Sequence, residues 1–244
     1  MTACGLFDFA DTLAELRPRR QDIVAEYIAR VSGLQIGPDA ISCVYKAIDL
    51  MLPYSSVQTR TREQRNVFYQ EYNQKMFALL GVSHRADPAG LIAAFGERRA
   101  HWQLKPGAHD TLRELRRRGY RIAIISNFDT RLEQIVYDHL GLGEWVDYVH
   151  VSQTEGTEKP DPRFYLGFFE RHSIKREHSI YLGDSYTLDF LPATGIGLKV
   201  WLLDEAGLYP HLPEAIRSIG DFPGLAPISA GSGNDRVHRA SLGP

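Results

Sequence analysis

The first residues that invite a chemical question are the carboxylates of LFDFADTL, Leu6 to Leu13. Asp8 stands inside an apolar run, where burial would disfavour a charge that had no partner. Further along, YLGDSYTLD carries Asp184 and, five residues later, Asp189. Asp8 and Asp184 together can hold a hard divalent cation. Mg²⁺ accepts a few protein oxygens and keeps several waters, so two carboxylates, a backbone carbonyl and a substrate phosphate suffice. Asp189 can add a ligand or hold a metal-bound water. Aspartate is also a covalent nucleophile in phosphoryl transfer, so one oxygen of Asp8 can face the ion while the other attacks phosphorus. Ser126 and the backbone N–H of Asn127, in IAIISN, can donate to a phosphoryl oxygen. Lys159, in EKPDPRF, can balance the charge gathered by Asp8, Asp189 and a phosphate. Thr12 fits a supporting hydrogen bond, to local backbone or to Asp8. The bland alternatives are helix N-caps for the acids and a surface ion pair for Lys159.

These residues need elements to position them. ACGLFDF at 3–9 reads as a short buried strand. From about 18 to 100 only helical patterning follows, with helices expected near 18–31, 39–51, 61–80 and 88–100; Thr59 or Thr61 suits the cap of the third and Asp87 before Pro88 the start of the fourth. After KPGA the pattern alternates. Helix 109–118 leads to strand 120–126, helix 130–139 to a strand near VDYVHVS, helix 161–171 to strand 179–183, and a helix near Thr187 to strand 198–203. Continuous apolar strands alternating with helices imply a parallel sheet covered on both faces. The fold class is therefore α/β, a Rossmann-like parallel sheet with an inserted all-helical cap. The expected division is 1–16 and 101–225 for the sheet core, 17–100 for the helical cap, and 226–244 for a mobile, Gly/Ser-rich tail. Open parallel sheets bind ligands beyond the carboxyl ends of their strands. Asp8, Ser126, Lys159 and Asp184 all fall there.

Composition narrows the classes. The chain has 244 residues, 43% hydrophobic, with a formal net charge of -2. That balance gives no reason to expect nucleic-acid binding. No apolar stretch suits a membrane span or a secretory signal, and Cys4 and Cys43 make neither a metal spacing nor a disulfide framework. A cytoplasmic protein is expected.

In the order LFDFADTL, IAIISN, EKPDPRFY and YLGDSYTLD, the chain resembles the haloacid dehalogenase-like (HAD) hydrolase superfamily, over about residues 4–205. The resemblance is to its helical-cap (C1) subclass, and DFADT with ISNFDTRLEQI is similar to HDHD-type members. It implies Asp8 as nucleophile, Ser126 and Lys159 as phosphoryl-binding groups, and a Mg²⁺ site made by Asp8, the backbone carbonyl of residue 10, Asp184 and Asp189. The family's phosphatases carry a second aspartate two residues after the nucleophile. It protonates the leaving oxygen and then activates water. Here that position is Ala10 and the next residue is Asp11. General acid–base help is worth roughly 10² to 10⁴ in rate, so metal and phosphate binding with slow turnover is the direct consequence. Asp11 sits one residue late, and its ordinary role is to cap a turn at LAEL.

The expected function is Mg²⁺-dependent hydrolysis of a small phosphorylated metabolite through an aspartyl-phosphate at Asp8. The alternatives are a ligand- or protein-binding module without turnover, and phosphonate C–P or dehalogenase-like cleavage. The dehalogenases lack the aspartate matched by Asp184. The phosphonate branch has alanine at position 10 but needs a cap lysine that forms a Schiff base. Lys46 is the candidate, its bland reading being a solvated helix residue. Arg17, Arg20, Tyr54 and Arg60 are further candidates for substrate contacts, and a homodimer through the cap is allowed. The aromatics of YQEYNQKMFALL are expected to pack within the cap.

Overall fold

The computed structural model describes residues 3–51, 59–98 and 100–226. Six parallel strands form one sheet. Strand β1 is Cys4–Phe7; a two-stranded antiparallel ribbon pairs β2, Ala14–Arg17, with β3, His101–Leu104. Between those ribbon strands lie α1 (Arg20–Ser32), α2 (Pro38–Met51), α3 (Arg62–Leu79) and α4 (Pro88–Glu97). Then come α5 (Ala108–Arg117), β4 (Arg121–Ser126) and α6 (Arg131–Gln134), which continues as a π-turn over Ile135–His139. They are followed by β5 (Tyr148–Val151), the short α7 (Ser152–Glu155), α8 (Pro162–His172) and β6 (Ser179–Gly183). A π-turn at Tyr186–Phe190 runs into α9 (Leu191–Gly195), and β7 (Lys199–Leu203), β8 (Ala215–Ile216) and α10 (Phe222–Leu225) complete the described chain. The sheet order is β5-β4-β1-β6-β7-β8.

Successive residues of β1 point to opposite faces. Phe7 joins the apolar cluster beneath α5 and α10, with Leu112, Leu115 and Phe222, while Leu6 joins the other cluster with Phe164 and Phe168 of α8. Both faces are covered, which is why the interiors of β1, β4 and β6 read as apolar runs rather than as alternation. Helices α1 to α4 bury a third cluster of their own, centred on Ile28, Ile41, Met76, Phe77 and Leu91. Thr61 makes a capping box with Gln64 at the start of α3, and Asp87 caps α4 by accepting from Gly90 N–H at 2.7 Å.

One expectation differs. Ala14–Leu16 of LAEL lie in strand β2, not in a turn capped by Asp11. The ribbon uses it to carry the chain from the sheet to the helices and back, and periodicity over four residues is too short to reveal such a link. Asp11 itself adopts a left-handed conformation, φ 62°, and its carboxylate pairs with Arg20. Tyr54 and nearly all of the expected tail, 227–244, lie outside the described residues. Among the described residues, no helix is long and apolar enough to cross a membrane.

Candidate active site

The site lies beyond the carboxyl ends of β1, β4 and β6. Asp8 follows β1 directly, and its N–H donates to Leu182 O at 2.9 Å, so the register of the sheet fixes where its side chain begins. Asp8 is buried, 8% exposed. Oδ1 accepts from the Ser126 hydroxyl at 3.1 Å and from the Lys159 ammonium at 2.7 Å. Lys159 is 2% exposed and also donates to Asp189 Oδ1 at 2.7 Å, thereby bridging two carboxylates. The Asn127 side chain grips its backbone reciprocally: Asn127 Nδ2 donates to Lys159 O at 2.9 Å, and Lys159 N–H to Asn127 Oδ1 at 2.8 Å.

Asp189 is tucked under the end of β6. Its Oδ2 accepts from Ser185 N–H at 3.0 Å. A Cβ placed on Gly183 would lie 2.4 Å from Asp189 Cγ, so only glycine leaves room for this carboxylate. The neighbouring Asp184 faces the helices. Thr12 donates to its Oδ1 at 3.4 Å, whereas Lys46 donates at 2.9 Å to both Oδ2 and the backbone carbonyl. Thr12 thus reaches Asp184 rather than Asp8.

Lys46 is therefore no solvated helix residue. The inner side of α2 lies over the sheet edge, and Asp184 supplies the opposite charge that draws the long side chain inward. Burial works against its positive charge, but Asp184 outweighs it and the ammonium's pKa is raised. Burial likewise pushes the Asp184 carboxyl up, and Lys46, Arg20 and Lys105 reverse the effect, leaving it below the usual range. Asp8 goes the other way. Its pKa is raised to about 7 by burial, which Lys159 opposes and Asp189 and Asp184 reinforce.

The donor set suits a small hard cation. Carboxylate oxygens of Asp8, Asp184 and Asp189 lie within 4.8 Å of one another, close to the roughly 4.2 Å that separates trans oxygens around one Mg²⁺ ion. Asp184 draws on Lys46 and Arg20, whereas Asp8 and Asp189 share the one ammonium of Lys159. Ala10 lines the cavity beside Asp8, half-buried in the turn that follows β1.

That cavity, of about 870 Å³, lies between the sheet edge and α1 to α4. Arg20 lines it, its guanidinium 5.5 Å from the centre of the Tyr45 ring. Arg17 and Arg60 are not brought there. Arg17 pairs with Glu15 on the ribbon at 2.5 Å, and Arg60 bonds Gly156 O and lies 3.9 Å from Glu158. Arg17 finds its partner on its own strand, and Arg60 reaches across to the loop before α8, outside the cavity lining. Tyr69 and Tyr72 line the cavity instead of packing wholly among the helices, while Phe77 of the same helix is in their core.

The residue that sequence reasoning missed is Tyr181. Its hydroxyl donates to Asp189 Oδ1 at 2.5 Å and accepts from Lys159 at 2.7 Å. The available signal was a tyrosine in an otherwise apolar central strand, where a buried hydroxyl demands a partner. Glu158 and Arg65 also escaped notice. Glu158 accepts from the Thr59 N–H and hydroxyl at 3.0 and 2.6 Å, and Arg65 pairs with Asp129 at 3.3 Å, which ties the entry of α3 to the sheet edge.

Comparison with known proteins agrees with this architecture. Haloacid dehalogenase-like hydrolase domain-containing protein 3 from Homo sapiens is 33% identical over 229 residues, spanning 90% of this chain and 89% of that protein. Ribulose-1,5-bisphosphate 5-phosphatase from Halopiger xanaduensis is 26% identical, across 84% of this chain and 86% of its own. Among solved structures, the HAD-hydrolase YfnB from Bacillus subtilis bound to magnesium superposes with a TM-score of 0.66 at 21% identity, covering 93% of this chain and 99% of that one. The model of the haloacid dehalogenase-like hydrolases matches residues 4–197. With that match over most of its length, the chain belongs to the haloacid dehalogenase-like hydrolase family.

Proposed function

We propose that this HAD-like hydrolase is a Mg²⁺-dependent phosphomonoesterase that works through an aspartyl-phosphate at Asp8. The observation that carries the proposal is the convergence of Asp8, Asp184 and Asp189 at one sheet edge with Lys159 between two of them. Asp8, Asp184, Asp189 and the Ala10 carbonyl would hold the ion, which when bound draws charge from a phosphoryl oxygen. The Asp8 carboxylate attacks phosphorus. The Ser126 hydroxyl and the Asn127 N–H donate to phosphoryl oxygens. Lys159, held by Tyr181 and Asp189, keeps its positive charge against the dianionic group. Helices α1 to α4 act as the cap that covers the site, and Arg20 and Lys46 reach it from that side. The phosphatase activity named for the Halopiger relative is in keeping with this chemistry.

The test is a panel of phosphomonoesters and acetyl phosphate assayed for phosphate release. Release should require Mg²⁺, stop on chelation and return when the ion is restored. Retained metal binding with no release from any compound would instead favour a binding module. The Schiff-base alternative is weakened by Lys46 itself: an imine needs a free amine, and this ammonium is ion-paired at 2.9 Å with its pKa raised.

Lys46 competes for a carboxylate assigned to the ion. Lys46→Met should therefore bind Mg²⁺ about tenfold more tightly than the parent, the lower end of what one adjacent charge does to a carboxylate's affinity for a cation. Calorimetric titration of the metal-stripped proteins measures this, and equal affinities would show that the ammonium moves aside at no cost.

A further inference from the structure

We propose that the site's substrates are aryl phosphomonoesters, in which the bridging oxygen is bonded to an aromatic ring; this rests on the phosphatase reading above. Two separate features lead there. The first is the leaving side of the reaction. Residue 10 is an alanine, and the carboxylates gathered around Asp8 are all engaged: Asp11 with Arg20, Asp184 with Lys46, and Asp189 with Lys159 and Tyr181. A departing alkoxide resembles hydroxide, whose parent acid has a pKa of about 15.7, and so it needs a proton as it leaves. A departing phenolate, whose acid has a pKa near 10 as in tyrosine, does not.

The second feature is the aromatic lining of the cavity. Tyr45 from α2 and Phe68, Tyr69 and Tyr72 from α3 line the cavity. Their rings form one shelf, with centroids 5.8 Å apart for Tyr45 and Tyr72 and 5.7 Å for Phe68 and Tyr72. Tyr69 is 45% exposed. Another ring can join such a shelf at the usual centroid spacing of roughly 4.5–7 Å. A cavity of about 870 Å³ falls in the upper part of the ordinary small-molecule range, more than a phosphoryl group alone requires.

The steps balance without a protein acid. An Asp8 oxygen bonds to phosphorus as the phosphorus–oxygen bond to the ring breaks. The bonding pair departs on the aryl oxygen, which takes a proton from solvent. Water then bonds to the same phosphorus, the bond to Asp8 breaks, and the carboxylate is restored while the water's proton passes to phosphate or solvent. The sum is an aryl phosphate and water giving a phenol and phosphate. The second step has no base at residue 10 either, so breakdown of the phosphoenzyme is the slow step, and phenol should appear first in a burst.

Phenyl phosphate and benzyl phosphate separate the terms, because both carry a ring but only the first has a phenolic oxygen. With Mg²⁺ present, kcat/KM for phenyl phosphate should exceed that for benzyl phosphate by roughly 10²-fold or more, the value of the missing acid. Ala10→Asp should shrink that ratio to less than about tenfold by accelerating benzyl phosphate, the same acid being restored. Tyr69→Leu should raise KM for phenyl phosphate more than for acetyl phosphate, which has a good leaving group and no ring. Equal kcat/KM for the phenyl and benzyl esters in the parent enzyme, or release from acetyl phosphate with none from phenyl phosphate, overturns the aryl assignment and leaves the phosphatase reading standing. No release from any of the three removes both.

Discussion

Asp8→Asn should abolish phosphate release and, in the metal-free protein at alkaline pH, make the fold more stable. The loss of activity follows from removing the nucleophile, and changes of that kind cost roughly 10⁴ to 10⁶ in rate. The gain in stability follows from burial. The Asp8 carboxyl has its pKa raised to about 7 by desolvation, against Lys159 and with Asp189 and Asp184, whereas an unfolded aspartate titrates near 3.9. Between those values the folded protein holds a proton that the unfolded chain has lost. Stability therefore falls as pH rises through that window and levels off above about 7. Asparagine carries no charge to be penalised. Lys159 keeps Asp189 and the Tyr181 hydroxyl as partners, which limits what the substitution removes. The urea midpoints of the metal-stripped proteins should coincide near pH 4 and diverge in favour of the variant near pH 8. Parent and variant midpoints that match at both values would mean that Asp8 is not short of compensating charge.

The sheet was legible because its strands are buried on both faces. Apolar runs such as Ile122–Ile125 carry a signal that neighbouring helices do not blur, and the parallel α/β class followed from their alternation with helices. The four helices were legible from punctuation as well as period: Thr61 and Asp87 both cap through side chains. What escaped were elements whose cause is a distant partner. The β2–β3 ribbon joins residues 14–17 to 101–104, and neither strand is long enough to show alternation. The π-turns at Ile135–His139 and Tyr186–Phe190 have helical composition, so the sequence has nothing to mark the wider winding.

The site divides along the same line. The strand-end rule brings Asp8, Ser126 and Asp184 to one edge, since each is tied to a strand whose register the sheet sets. Contacts made by long side chains from elsewhere were not legible. Lys46 has a helical neighbourhood that looks solvated, and only the docking of α2 over Asp184 gives its ammonium a half-buried partner. Arg17 and Arg60 erred the other way, because proximity in sequence to the first signature or to a hinge says nothing of where a flexible guanidinium finds its carboxylate. Tyr181 could have been found by asking where a buried hydroxyl would bond. Its answer, Lys159 and Asp189, identifies a buried ammonium held by three partners at once.

Lys159→Met tests that charge directly. The ammonium is 2% exposed and lies 2.7 Å from a carboxylate oxygen of both Asp8 and Asp189. Removing it leaves two buried acids without their cation, a change that typically costs about 3–5 kcal/mol. Asp8, whose pKa is already raised to about 7, can shed its charge by taking a proton, so the cost should be greatest near pH 8 and shrink toward pH 4. Turnover should be lost at every pH, because nothing then balances the charge of Asp8 and a phosphate. Lys159→Arg should not restore it: a planar guanidinium cannot replace the compact ammonium between Tyr181 and two carboxylates. The decisive measurement is the double variant. With Asp8→Asn also present, one of the two stranded carboxylates is gone, so the pair should be more stable at pH 8 than Lys159→Met alone. The two changes would then be non-additive, with a coupling of about 0.5–3 kcal/mol, the range seen for residues sharing one ion-pair network. Strict additivity in urea denaturation would show that Asp8 and Lys159 do not share their energetics, and the charge-balanced site argued from their contact would fail with it.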